Sequence, residues 1–155
     1  MKQLRIISLL CAAILFSAVA CAQKITFSSL NNVDGVSKVF ISKAMLLMAG
    51  NSVNLGNVPM GVVKNLDSME IYSSESKSGS NAIKKAFDEY VTSVDNLNLL
   101  MQVSEDDEDV SIYGTEKSGS KNMSRMLIYV KDADEATLIV MNGDIDPSQI
   151  SGMVN

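Results

Sequence analysis

The chain has 155 residues, with 13 Lys and Arg against 18 Asp and Glu, and it contains no His and no Trp. Binding to a phosphate backbone demands a surplus of basic side chains, so this acidic balance excludes nucleic acid as a partner class. The two cysteines, Cys11 and Cys21, both lie near the start, so most of the chain has no thiol with which to build a disulfide framework.

Lys2 and Arg5 precede an apolar run from Ile6 to Val19. The run is too short to span a bilayer with ordinary flanks and has the layout of an export signal. Within S17-A-V-A-C-A-Q23 two cuts fit the small residues. Ala18 and Ala20 suit cleavage before Cys21, which would leave an N-terminal cysteine for lipidation. Ala20 and Ala22 suit cleavage before Gln23, which would release a cysteine-free protein. The expected organisation is a signal peptide over 1–22, with lipoprotein processing at Cys21 as the alternative, and a single α+β domain over 23–155. Losing Lys2 and Arg5 leaves 11 basic against 18 acidic residues, a net charge of −7. The expected location is the periplasm or cell envelope, with a membrane involved only through a lipid anchor.

After the signal, V36-S-K-V-F-I-S42 is rich in β-branched and aromatic residues and predicts a strand, which passes near Ser42 into a short helix ended by Gly50. Val33, Val36, Phe40, Ala44 and Leu47 also fall at helical spacing. A Gly/Asn-rich turn follows, and Pro59 suits the first position of a helical turn running to Leu66. Asp67 to Ser73 alternates, with Met69 and Ile71 on one face and Glu70 and Tyr72 on the other, the pattern of a half-buried strand. S73-S-E-S-K-S-G-S80 reads as a polar loop, with Ser80 as N-cap of a helix whose apolar stripe is Ile83, Phe87, Tyr90, Val91 and Val94.

Four strands follow in the sequence: Leu97 to Ser104, Asp109 to Thr115, Met123 to Lys131, and Glu135 to Met141. The last two are apolar on both faces, which suits central strands. D132-A-D-E135 reads as the tight link between them, and Asn142-Gly143 as the turn that ends the last. In I145-D-P-S-Q-I150, Asp146 suits a cap, Pro147 the first helical position and Gln149 a capping box, which predicts a short closing helix. The fold class is therefore α+β, a mostly antiparallel sheet of about five to six strands with two to three helices packed on one face.

Without His, and without Cys once the chain starts at Gln23, the Ser-His-Asp, Cys-His and common zinc ligand sets are missing. No cofactor is expected, and the protein is read as a non-enzyme. The acidic cluster E105-D-D-E-D109 offers oxygens for Ca²⁺ but has neither the alternate ligand spacing nor the glycine of a dedicated loop, so it reads as a solvated hairpin turn. M45-L-L-M48 and M123-S-R-M126 carry soft thioethers suited to Cu(I). Methionine at strand or helix spacing is first of all core filler. Two loops echo each other, I71-Y-S-S-E-S-K-S-G-S80 and I112-Y-G-T-E-K-S-G-S120, and each pairs a lysine with several backbone N–H groups. As anion-gripping loops they would use Lys77 and Lys117; chance similarity of Ser/Gly/Lys segments is the favoured reading, because repeat architectures need a sustained period.

The segments V36-S-K-V-F-I-S-K-A-M-L46 and L127-I-Y-V-K-D-A-D-E-A-T-L-I-V-M-N-G-D-I-D146, with the paired Ile-Tyr strand ends, resemble a domain-of-unknown-function family of small exported proteins from Gram-negative envelopes. The likeness covers nearly the whole mature chain. It implies no activity and no catalytic residue. It does imply a setting beside extracytoplasmic-function sigma factors, that is, envelope-stress regulation, without assigning a role to any side chain. The expected function is binding of a protein or envelope component through an exposed sheet face or edge. The alternative is a ligand or metal carrier, using methionines for Cu(I) or Glu105 to Asp109 for Ca²⁺.

Overall fold

The structure, a computed structural model, describes residues 26–49 and 63–149. Six antiparallel strands form one sheet in the order β1-β2-β6-β5-β4-β3. They are β1 (Ser37–Ser42), β2 (Leu66–Ser74), β3 (Leu97–Glu105), β4 (Glu108–Glu116), β5 (Met123–Asp132) and β6 (Glu135–Ile145). Two α-helices, α1 (Lys43–Ala49) and α2 (Lys77–Ser93), and two 3-10 turns, Phe27–Asn32 and Pro147–Gln149, complete the described elements. The α+β class with an antiparallel sheet is the one expected, and the apolar strands β5 and β6 lie centrally, as their sequences required.

The topology follows from two kinds of connection. β3 to β6 form a meander on short links, since consecutive strands with tight turns pair most simply with their neighbours. α2 instead carries the chain from β2 to the far edge, and the meander then returns until β6 closes against β2. Two of the tight turns place non-glycine residues at positive φ, Asp106 at 46° and Ala133 at 47°.

Each face of the sheet carries its own core. On one face α2 and the first 3-10 turn pack Phe27, Leu30, Ile83, Phe87 and Tyr90 onto Tyr72, Leu127, Tyr129, Leu138 and Val140. Rings pack closely there, Phe27 on Tyr90 at 4.8 Å between centroids and Phe87 on Tyr129 at 4.6 Å. The opposite face is built of aliphatic and methionine side chains. Val39, Ile71, Ile139, Ile128, Ile112 and Met101 stand in one row across all six strands. In a neighbouring row Ile41, Met69, Met141 and Met126 lie side by side. Leu46 of α1 and Val63 are buried against this face.

The finer sequence expectations fared unevenly. β2 is buried on both faces rather than half-buried, because Tyr72 is packed under α2 while Met69 joins the methionine face. α2 begins a turn earlier than expected, and its N-cap is Ser76 in place of Ser80. Ser76 is extended and its side chain accepts a hydrogen bond from the Gly79 N–H at 3.3 Å. Ser80 turns inward and donates to the Asp134 carbonyl at 2.5 Å. Asn142-Gly143 does not end the last strand, which continues to Ile145. Gly143 pairs with Leu66 beside a bulge between Leu66 and Ser68, so the glycine kinks the strand without stopping it. Asp146 caps the final 3-10 turn, its Oδ1 accepting from the Ser148 N–H at 2.9 Å. The signal segment with Cys21 and the Pro59 turn up to residue 62 lie outside the described residues.

Candidate functional site

Three regions bear on function: the two echoing loops, the acidic and methionine clusters, and the corner where β1 runs into α1. The loops do not converge. Ser74, just before Lys77, pairs with Ala136 at one end of β6. Glu116, just before Lys117, pairs with Met123, which pairs with Ile145 at the other end. Lys77 is the first residue of α2 and exposed. Lys117 opens a turn and forms a 2.7 Å ion pair with Asp144.

Several N–H groups of the two loops are already engaged within them. Ser76 N–H donates to Ser74 Oγ, and Ser80 N–H to the Ser76 carbonyl. Lys117 N–H donates to the Asn122 carbonyl, and Ser120 N–H to the Lys117 carbonyl. Hydrogen bonds from Lys117 and from Asn122, the latter at 2.7 Å, hold the Asp144 carboxyl below the usual carboxylate range. A hollow of about 440 Å³ opens beside this pair, lined by Lys43, Lys64, Asp67, Lys117, Asn142 and Asp144 among others. Its lysines face acids of the same rim, as in the 2.8 Å pair between Lys43 and Asp67.

Glu105 to Asp109 form the tip of the β3–β4 hairpin, with Ser104 donating to the Asp109 carboxylate. Among the described residues no three His, Cys, Asp or Glu side chains converge in a metal-binding arrangement. Among the described methionines, Met101 is partly buried and the others fall into two sets. Met69, Met123, Met126 and Met141 are buried in the core of the second face, whereas Met45 and Met48 project from α1 into solvent.

The β1–α1 corner was not singled out from sequence. β1 is an edge strand, and among the described residues no strand lies beyond it. Val39, Phe40, Met45, Leu47 and Met48 are all about half exposed or more, with Phe40 at 60% and Met48 at 69%. These five large apolar side chains fall within ten residues of chain. Val39 and Phe40 stand on opposite faces of β1, since Val39 pairs with Ile71 and Phe40 with Glu70. Met45, Leu47 and Met48 follow on α1, so the exposed apolar side chains flank the strand edge and the helix after it. The edge lysine does not cover them. Lys38 folds back to Asn31 at 2.9 Å and Glu70 at 3.3 Å, over the Tyr72 ring. Glu70 in turn accepts a 2.6 Å hydrogen bond from Tyr72, whose hydroxyl pKa is pushed up by burial and by that carboxylate.

A family model described as a domain of unknown function, DUF4252, matches residues 30–153. The chain belongs to the DUF4252 family. The match starts in the first 3-10 turn and includes every strand of the sheet, so the β1–α1 corner is part of the DUF4252 domain itself. No curated protein and no solved structure matches the chain.

Proposed function

We propose that this DUF4252 protein is a non-enzymatic, exported envelope protein that works by binding, and that the β1–α1 corner is its contact surface. The observation that carries the reading is five exposed apolar side chains on β1 and α1, at a sheet edge beyond which no described strand lies. Such a surface loses less water-exposed apolar area when folded alone than when bound, which gives binding its driving force. A partner strand could add main-chain hydrogen bonds along this edge, beyond which no described strand lies. Export is supported by the basic, apolar and small-residue layout of 1–22, and the envelope-stress setting by the family resemblance alone.

The test is a photo-crosslinking residue placed at position 40 in cells, with position 85 on the outer face of α2 as control. The expected result is an adduct from position 40 in the envelope fraction and none from position 85. No adduct from position 40, or an adduct confined to the cytoplasm, would sink the proposal. The intact mass of the mature chain then reports its tether, since a start at Gln23 and an acylated start at Cys21 differ by the lipid and two residues.

A further inference from the structure

Resting on that reading of the corner, we infer that its partner is a second copy of the same chain, and that two β1 strands pair antiparallel across a two-fold axis to form one continuous twelve-stranded sheet.

The two edges of the sheet differ in how they are guarded. Natural edge strands resist pairing through bulges, charge or coverage. β3 has a register break between Leu99 and Met101 and runs into the acidic tip at Glu105. β1 pairs with β2 over all six residues with no register break. Its lysine, Lys38, is drawn back over Tyr72 and held there by Glu70 and Asn31. β3 also exposes Leu99 and Leu100, but Leu100 sits at the register break, so among the described residues β1 is the regular edge and β3 the broken one. One regular and one broken edge favour a closed pair over an open chain of sheets, because only an edge that meets its own copy closes after two.

The strand S37-K-V-F-I-S42 also suits itself. A two-fold axis perpendicular to a sheet brings together residues on the same face. With the axis at Phe40, Phe40 faces Phe40 of the other copy, Val39 faces Ile41, and Lys38 faces Ser42. No like charges meet in this register. It also continues the apolar row that runs from Val39 through Ile71 and Ile139 into the second copy. Val39 and Phe40, each at least half exposed, would be covered on the two faces of the joined sheet. The backbone edge, with the exposed side chains of α1 beside it, extends the contact toward the roughly 800 Å² that a standard interface buries on each partner.

Sedimentation velocity on the exported chain tests the assignment. The expected result is twice the chain mass, with Phe40→Asp weakening association at least about 100-fold, because it sets two carboxylates face to face on the axis. Leu99→Asp on the opposite edge should leave the pair intact. Phe40 is exposed, so the melting temperature of F40D at monomeric dilution should stay close to that of the parent. A single-chain mass at concentrations on the order of 100 μM, or a pair that F40D leaves intact while L99D dissolves it, would overturn the inference. The crosslink at position 40 separates the two levels of the reading. An adduct of two identical chains supports both, an adduct with a different protein overturns the second copy and keeps the contact surface, and no adduct overturns both.

Discussion

Gly143 lies where three strands are forced together, and its conformation follows from that position. Its φ of 152° lies in a region that side chains rarely adopt, and a Cβ there would approach the Asn65 carbonyl and come within 2.7 Å of the Leu66 Cα. Both neighbours are backbone of the bulged strand and cannot rotate away. Gly143→Ala should therefore cost about 2–4 kcal/mol in chemical denaturation, combining backbone strain with a steric clash. Gly119 also has positive φ but nothing within 4 Å, so Gly119→Ala should cost only about 1 kcal/mol. Equal losses at the two positions would show that φ alone decides and that the close approach at β2 is irrelevant. Tyr129 poses a different problem. Its hydroxyl is buried and, among the described residues, has no hydrogen-bond partner. Burial, and then the charges of Asp88 and Asp109, push its pKa from 10.0 up to about 12. Below pH 10 folded and unfolded chains both keep this proton. Between about pH 10 and 12 the unfolded chain loses it first, so folding stability falls as pH rises across that window. Tyr129→Phe should be neutral or stabilising by up to about 1 kcal/mol at pH 7, since it removes an unsatisfied group, and it should lessen the alkaline fall. A loss above about 1 kcal/mol at pH 7 would mean that the hydroxyl has a partner. Tyr90→Phe is the contrast, because Tyr90 accepts a hydrogen bond from Arg125, and its loss should cost about 1–2 kcal/mol.

At the scale of elements, the start of α2 depends on a relay of serines. Ser74 Oγ accepts from the Ser76 N–H at 3.1 Å, and Ser76 Oγ accepts from the Gly79 N–H. Ser76→Ala should cost about 1 kcal/mol, the usual value of an N-cap. Ser80→Ala should cost about 1–3 kcal/mol, because it leaves the Asp134 carbonyl without the buried hydroxyl that ties α2 to the β5–β6 turn. Urea titrations of the two variants would rank them, and S76A as the costlier change would place the cap's weight above the tie. The same stretch explains how far the sequence could be read. Ser74, Ser76, Ser78 and Ser80 are equally good caps as residue types, and only the position of the sheet beneath the helix selects one. The α2 stripe was legible through its helical period, and the meander strands through runs of strand-forming residues separated by short turn signals. β1 is shorter, and V39-F-I41 is a run of three β-branched or aromatic residues. Nothing in those three residues says that the strand falls at an edge, because that depends on β6 returning to pair with β2 more than sixty residues later. The proposed contact corner was therefore not legible as a surface, although Met45 and Met48 drew notice as thioethers, whereas Lys77 and Lys117 drew notice through a local echo that the topology separates to opposite ends of the sheet.

For the whole molecule the question is whether two cores melt as one. All four tyrosines, Tyr72, Tyr90, Tyr113 and Tyr129, belong to the α2 face. Met69, Met101, Met123, Met126 and Met141 belong to the other. Tyrosine fluorescence and methionine methyl resonances therefore report on opposite sides of one sheet. The central strand β6 sends Leu138 and Val140 into the first core and Ile139 and Met141 into the second, so neither core survives without the strand that carries half of the other. Unfolding should be a single transition, with the two probes giving the same urea midpoint. Leu138→Ala and Met141→Ala should each cost about 2–5 kcal/mol, since both side chains are essentially fully buried. Each variant should lower both midpoints together, although it opens a cavity on one face only. A methionine transition at lower urea, moved by M141A and untouched by L138A, would show that the methionine face loosens independently. In that case the β1–α1 corner, whose Leu46 is anchored in that face, would be an adaptable surface instead of a rigid one. With a common midpoint, the corner is held by the full stability of the domain, and the proposed partner would meet a backbone already in place with little ordering left to do.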